Sequence, residues 1–551
     1  MKDLLHKKTK CLLIQPLFST FSFWNYRDVC KIAGAQYPAA PLGLMTLAAL
    51  LPQHWEFKLI DENVEPLKDE HFEWADIVFA GAMLPQQDRL LTIIKKAHKK
   101  NRPIVVGGPD PSSQPDIYRE ADFLVLGEAE VTIPPFINDL GNRVTSGTYA
   151  SAEKADMAEA VIPRFDLVRF KDYLHIGIQF SRGCPHNCEF CDIIELFGRK
   201  PRTKTPEQVI RELQRLYDMG YRGHVDFVDD NLIGHKRDVK QALLAVNEWL
   251  EARNHPFFFS TEASINLAKE KELLQLMREA DFRYVFIGVE TPDEESLKQT
   301  RKWQNVNISM ADSIRLLYDY GMIVNAGFII GFDSETERSA GQMIAFIQDT
   351  GICMAMVGML VALPNTQLTR RLRKEGRLFD DGINLANTTN EIDQTTSGLN
   401  FKTVRPRLDI LTDYIDIVTH LYEPKNYYKR VLYTASHLKP AAGYKPGLKK
   451  VLMNIRSFLR LCRVIGLQRE TGLLFWAMIF KVLMKNPAAL EAAVNLAAMH
   501  IHFYRQSRFL VDLLEERKKM IREIGENRYD EMMLHRDTSL QTEQRSREIV
   551  G

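Results

Sequence analysis

Three of the seven cysteines in this 551-residue chain fall within eight residues, in the run Ser181-Arg182-Gly183-Cys184-Pro185-His186-Asn187-Cys188-Glu189-Phe190-Cys191-Asp192. Their spacing is C-x3-C-x2-C. Thiolates are soft ligands suited to iron–sulfur clusters or zinc, and a compact loop lets several converge on one centre. A closed zinc site wants a fourth Cys or His. His186 lies inside the loop, but the chain on either side is too short for its ring to converge with all three thiolates. Three thiolates on a four-iron cluster leave one iron open, which makes the missing fourth ligand useful to a substrate. Incidental core cysteines are the bland alternative.

Such a loop needs a rigid edge to sit on. Apolar runs at 176–180, 224–228, 257–261, 284–289, 324–330 and 354–363 alternate with charged amphipathic stretches such as 206–219 and 236–253. That alternation fits a partial (β/α)6 barrel over residues 176–405, whose active site lies at the carboxyl ends of the strands. The cysteine run follows the first strand. The same edge collects Asp229-Asp230-Asn231, Ser260-Thr261-Glu262, Gly288-Val289-Glu290-Thr291, Gly331-Phe332-Asp333 and Leu363-Pro364-Asn365-Thr366. One carboxylate after a strand can simply cap the next helix, but repetition around one edge favours a ligand. No Ser-His-Asp or paired-carboxylate arrangement argues for hydrolysis.

Upstream, strands are expected at 11–15, 57–61, 77–80, 104–107 and 123–126, with helical segments between them, including 42–51 and 85–100. This is the pattern of an α/β, doubly wound, flavodoxin-like domain over residues 1–150. Its ligands belong at the carboxyl strand ends near a topological switch point, where Gln15-Pro16, Asp61-Glu62-Asn63, Gly81-Ala82-Met83, Gly107-Gly108-Pro109-Asp110 and Gly127-Glu128 fall. Residues 151–175 read as a linker and residues 406–551 as an α-helical C-terminal domain. In that domain 446–467 mixes Lys and Arg with apolar residues, and 473–483 is rich in aromatics. A helical cap on the barrel or a peripheral membrane surface would both look like this.

The 72 Lys and Arg balance 71 Asp and Glu, so whole-chain charge argues for no nucleic-acid partner. An odd, clustered cysteine set suggests a reducing compartment. No uninterrupted apolar stretch reaches membrane-span length, and the first apolar run reads as a strand, not a signal peptide. A cytoplasmic protein is expected, with the C-terminal helices as the candidate contact to the inner face of a membrane.

With Phe190 as the aromatic of a C-x3-C-x-aromatic-C pattern, the cysteine run resembles that of the radical S-adenosylmethionine (SAM) enzymes. The P-x-x-P-L-G-L run at 38–44, Gly107-Gly108-Pro109 and Gly127-Glu128-Ala129-Glu130 resemble the cobalamin-binding domain that precedes this loop in one large class of them. Phe227-Val228-Asp229-Asp230-Asn231-Leu232, Leu363-Pro364-Asn365-Thr366-Gln367-Leu368, Tyr422-Glu423-Pro424 with Tyr427, Tyr428 and Arg430, and residues 21–26 and 34–41 look like the subfamily that includes the hopanoid C-2 methylase. The likeness runs to about residue 440.

That resemblance implies a [4Fe-4S] cluster on Cys184, Cys188 and Cys191. It implies SAM held by Asp229, Asp230, Glu262 and Glu290, with the amino group near the aspartates and the ribose or methionyl part near the glutamates. Cobalamin would lie against Met83, Leu84, Gly107, Gly108, Gly127 and Glu128. The cobalt-ligating D-x-H-x-x-G motif is absent: Asp69-Glu70-His71 lacks the glycine and precedes the third strand, so His71 reads as an exposed helix residue and the cobalt would face Met83, Leu84 and Gln86. Cys11 and Cys30 are too few for the second cluster of a methylthiotransferase.

The implied reaction is methylation of an unactivated carbon, as on a hopanoid-like lipid. A SAM-derived 5′-deoxyadenosyl radical takes a hydrogen atom, methylcobalamin gives the methyl group, and a second SAM restores it. A donor such as flavodoxin or ferredoxin supplies electrons. A cobalamin-binding radical enzyme that rearranges or cyclises its substrate, and a non-catalytic cobalamin-binding regulator, remain open alternatives.

Overall fold

Two parallel sheets carry the chain, and one strand belongs to the sheet that its place in the sequence would not suggest. The computed structural model describes residues 4, 5, 7–379, 395, 398–441 and 443–534. The amino-terminal strands are β1 (Lys10–Gln15), β2 (Tyr37–Ala39), β3 (Glu56–Asp61), β4 (Ile77–Gly81), β5 (Ile104–Gly107), β6 (Phe123–Leu126) and β7 (Gly147–Ala150). Six of them form a parallel sheet in the order β3-β1-β4-β5-β6-β7. Direction of winding reverses between β1 and β4, which creates the crevice where ligands of such sheets bind. Cys11, Leu13, Ile77 and Phe79 face one apolar cluster, whereas Leu12, Ile14, Val78 and Ala80 face another. Burial on both faces is why these strands read as continuous apolar runs.

The second sheet holds β8 (Tyr173–Ile178), β11 (Gly223–Phe227), β12 (Phe257–Ala263), β13 (Phe282–Glu290), β14 (Ile323–Ile330) and β15 (Ala355–Met359) in sequence order. These are the six anticipated barrel strands. A two-stranded antiparallel piece, β9 (Ser181–Arg182) with β10 (Arg202–Thr203), brackets the cysteine loop. Two boundaries move: β8 starts at Tyr173, inside the stretch read as linker, and β15 stops at Met359.

Among the strands not anticipated, β7 adds to the edge of the first sheet beside β6, and β2 crosses to the second. It pairs with β8, Tyr37 opposite Tyr173 and Ala39 opposite His175, and so extends the barrel sheet to seven strands. Its three residues are too short a run to show periodicity. The segment before it packs on the C-terminal helix Leu490–Ile524: His502 Nε2 lies 3.1 Å from Ser22 O, Gln506 Nε2 donates to Phe21 O at 2.8 Å, and Phe21 stacks on Phe509 at 4.2 Å. The segment at 21–22 and helix Leu490–Ile524 therefore close on each other.

Helix Arg407–Tyr422 covers the open edge of the barrel, with the hydroxyls of Tyr414 and Tyr422 donating to the carbonyls of Val357 and Ala355 in β15. An uncovered edge strand would be a pairing hazard. Arg407, fully buried, reaches Asp530 and the carbonyls of Leu399 and Phe401. Among the described residues no helix is long and apolar enough to cross a membrane.

Candidate active site

The cysteine loop is pinned from three sides. Behind it, Asp229 accepts from the backbone N–H groups of Phe180 and Ser181 and from the Ser181 hydroxyl, and Asp230 accepts from Gly183 N at 2.8 Å. In front, Glu189 N donates to Thr300 O at 3.0 Å and Leu368 N to Glu189 O at 2.8 Å. Arg371 of helix Gln367–Lys374 joins the Glu189 carboxylate (2.7 Å) to Asp333 (3.0 Å), and Gln367 Nε2 donates to Asn187 Oδ1 at 2.8 Å. Gly183, at φ +90°, packs against the carbonyls of Gly198 and Lys200, where a Cβ would fall within 2.9 and 3.1 Å.

Amide N–H groups point at two of the thiols: Asn231 Nδ2 lies 3.9 Å from Cys184 Sγ and Gln304 Nε2 3.4 Å from Cys188 Sγ. Burial pushes the Cys184 and Cys191 thiols up, so thiolates here need cationic partners. Lys302 supplies one. It is buried, yet Glu290 and the nearby Cys188 and Cys191 hold its ammonium above the ordinary lysine range. Among the described residues no three His, Cys, Asp or Glu side chains converge on a single ion, as zinc would require. A cubane asks only that each thiolate reach its own iron. Three thiols, two amide donors and one buried cation fit an anionic cluster.

The four acidic residues expected at SAM separate by environment. Asp229 is buried, with both oxygens engaged by the loop, and burial raises its pKa to about 7. It braces β11 against the loop. Asp230 is pushed up to about 6, again by burial. Glu262 faces the barrel interior, with Oε2 buried and without a hydrogen-bond partner; burial, then Asp226, Asp229 and Asp230, hold its pKa well above the carboxylate range. Glu290 pairs with Lys302 and adopts φ +65°, a strained backbone for a residue with a side chain. Gly288 leaves room for the pair, since a Cβ there would fall 2.7 Å from Lys302 Nζ. Lys302 and Gln304 were missed in the sequence because they lie at and in the short helical turn Trp303–Asn305, outside any strand end or motif.

Across from the barrel mouth, the sheet domain presents a different edge. Met83, after β4 at the switch point, is 46 % exposed, and Leu84 begins a short helical turn that Gln86 ties to Pro16 O after β1. Gly107 and Gly108 serve strand packing: a Cβ on Gly107 would meet Val125 O at 2.6 Å, and one on Gly108 would meet Ala82 N at 3.0 Å. Gly127, at φ +84°, faces open space. Glu128 has a buried carboxylate that pairs with Arg182 (2.9 Å) and Arg202 (2.8 Å), and so fastens the sheet to the barrel. Glu130 adds a second pair to Arg182 at 2.7 Å. His71 lies in helix Asp69–Trp74 with its side chain only 12 % exposed, not on the surface as expected, and its Nδ1 accepts from Lys68 N at 3.2 Å. Asn365 Nδ2, after β15, donates to Ser113 O, after β5, at 3.3 Å. Loops beyond β5 and β6 thus meet loops beyond β8 and β15, edge to edge.

A parallel half-barrel with this loop, joined to a doubly wound sheet, is the architecture of cobalamin-dependent radical SAM enzymes. The structure resembles OxsB, a cobalamin-dependent SAM radical enzyme solved with aqua-cobalamin and SAM (TM-score 0.57, 17 % identity, 91 % of this chain and 84 % of that one). It also resembles the radical SAM methyltransferase TsrM from Kitasatospora setae, solved with cobalamin and a [4Fe-4S] cluster (TM-score 0.55, 14 % identity, 67 % and 78 %). The radical SAM superfamily model matches residues 178–347, and a domain of unknown function, DUF4070, matches 366–516. In sequence the chain is 41 % identical to an uncharacterized methyltransferase of Synechocystis sp. (95 % of this chain, 94 % of the relative) and 33 % identical to the hopanoid C-2 methylase of Rhodopseudomonas palustris (84 % and 87 %).

The chain belongs to the radical SAM methyltransferase family that contains these two proteins. The radical SAM match covers the cysteine loop and most of the barrel strands, and the two solved structures that share the fold hold cobalamin, with SAM in OxsB and with a [4Fe-4S] cluster in TsrM.

Proposed function

We propose that the protein methylates an unactivated carbon of a hopanoid-like polycyclic lipid, in the cytoplasm at the inner face of a membrane. The observation that supports this reading is the edge-to-edge meeting of the two sheets, since a substrate bound at that joint would be within reach of both proposed cofactor edges. Kinship with the hopanoid C-2 methylase over most of the chain supports the lipid class. When bound, SAM and the cluster supply a hydrogen-abstracting radical, and cobalamin supplies a transferable methyl group.

The chain's own residues then hold and insulate. Cys184, Cys188 and Cys191 would hold the cluster, with Asn231 and Gln304 donating to the Cys184 and Cys188 sulfurs and the Lys302 ammonium offsetting negative charge. Asp230 and Glu262 would hold the amino and ribose groups of SAM, while Glu290 acts through Lys302 and Asp229 through the loop backbone. Met83, Leu84 and Gly127 offer an apolar, open edge to the corrin, and Glu128 keeps both edges in register through Arg182 and Arg202. A low-potential donor such as flavodoxin or ferredoxin delivers the electrons.

The test uses anaerobically reconstituted protein with cluster, cobalamin and strong reductant, given SAM and a polycyclic lipid extract. Equal growth of 5′-deoxyadenosine and S-adenosylhomocysteine, with one methylene added to a lipid, is expected. 5′-Deoxyadenosine without S-adenosylhomocysteine would replace methylation by a rearrangement or cyclisation. Neither product, with both cofactors bound, would favour a binding protein.

A further inference from the structure

Helices Leu448–Val464 and Gly472–Lys485 each pack one face inward and, among the described residues, leave the other without a partner. In the second helix Phe475, Met478, Ile479 and Val482 are buried. Its opposite face shows Leu473 (83 % exposed), Trp476, Phe480 (66 %), Leu483 and Met484 (72 %). The first helix shows Leu448 (84 %), Leu452, Ile455 and Leu459 on one stripe, at spacings of four, three and four. Leu467, in the connection, is 78 % exposed, and Trp476 Nε1 donates to Gly466 O at 3.1 Å, which joins the end of the first helix to the second. Soluble surfaces rarely leave this many large apolar side chains together.

Charge says what covers them. Residues 448–485 carry eight Lys and Arg and one carboxylate, Glu470, in a chain whose totals nearly cancel. Arg456, Arg460, Arg463, Arg469, Lys481 and Lys485 are all exposed. A second protein surface would need matching acids and a shaped pocket. A nucleic acid would use the cations but not ten exposed apolar residues. An anionic bilayer uses both, with the apolar stripe below the headgroups and the cations among the phosphates. We infer that this helix pair is an interfacial anchor for anionic phospholipid membranes. The inference deepens the lipid-methylase reading, and rests on it only for its purpose, which is to bring the barrel to a membrane-dissolved substrate.

The test sediments the full-length holoprotein with phosphatidylcholine vesicles with and without phosphatidylglycerol. Binding is expected only with phosphatidylglycerol, with a blue shift in tryptophan emission that Trp476→Phe removes, and it should weaken at high salt. The triple variant Leu452→Ser, Leu473→Ser, Phe480→Ser and, separately, Arg456→Glu, Arg460→Glu, Arg463→Glu should each weaken binding about 100-fold or more, on the scale of tenfold per ~1.4 kcal/mol. Both should keep wild-type turnover on detergent-dispersed lipid. No vesicle binding, equal binding to neutral vesicles, binding to single-stranded nucleic acid at the same affinity, or self-association abolished by the apolar variant would each overturn the anchor. Methylation of dispersed lipid without vesicle binding sinks the anchor alone. Vesicle binding without methylation of any lipid sinks the function and leaves the anchor.

Discussion

The two edges proposed to hold the cofactors solve opposite problems. At the barrel mouth, ionic side chains do the positioning: Asp229, Asp230, Glu262, Glu290 and Lys302 are all withdrawn from bulk water, and the cysteine loop is bonded to neighbouring elements at Ser181, Gly183, Asn187 and Glu189. The sheet domain's edge offers one exposed methionine, a glycine facing open space and glycines required by strand packing, while its one buried glutamate at the joint is committed to arginines. A cluster with SAM needs charges fixed in a low-dielectric site, where they act strongly on a small reacting centre. A large corrin can be held by shape and backbone over a wide face. The contrast teaches that substitutions at the first edge should change chemistry, and substitutions at the second should change fit or fold.

The largest effect tests that division directly. Cys188→Ala should abolish cluster assembly and reductive SAM cleavage while cobalamin binding persists. Iron and sulfide content, 5′-deoxyadenosine formation and cobalamin retention on gel filtration check it together, and loss of cobalamin as well would break the comparison. Next, Lys302→Met leaves the Glu290 carboxylate buried without its cation, at a cost of about 3–5 kcal/mol in denaturant unfolding. Arg182→Met takes the ion pair from Glu130 but leaves Glu128 paired with Arg202, so it should cost no more than the loss of Lys302.

A third prediction concerns Asp61, at the end of β3. It accepts from the Tyr173 hydroxyl of β8 at 3.1 Å, and burial raises its pKa from 3.8 to about 6. The folded state then binds a proton that the unfolded state has released, so the contribution of Asp61 to stability is full below pH ~4 and is lost as pH rises through about 6. That fall should amount to roughly 2–3 kcal/mol, and Asp61→Asn should flatten it in melts of the apoprotein. The smallest effects belong to the glycines. Gly107→Ala drives a Cβ against Val125 O and should cost about 1–3 kcal/mol. Gly127→Ala meets only the left-handed backbone penalty of about 1 kcal/mol, so any larger loss of cobalamin affinity there would mark direct contact with the corrin.

Local signals carried much of this. Cys184, Cys188 and Cys191 announce their chemistry because cluster ligands must be particular residues at short spacing, and the long buried strands β1, β4, β5, β6 and the six of the barrel are visible as apolar runs because burial on both faces demands them. What the sequence could not settle was partnership. Glu128 stood at a strand end like a ligand residue, and only folding brought Arg182 and Arg202, 54 and 74 positions away, onto it. Lys302 and Gln304 reach the cysteines from across more than a hundred residues. The three-residue β2 joins the barrel only because β8 offers a free edge, and the stripe from Leu448 to Met484 stays bare only because the inward faces of its helices are already filled. Ligand type and strand pattern are properties of neighbouring residues, so the sequence determined them. Which charges meet, which edge is free and which face stays uncovered depend on contacts between distant segments, and those only the tertiary structure decided.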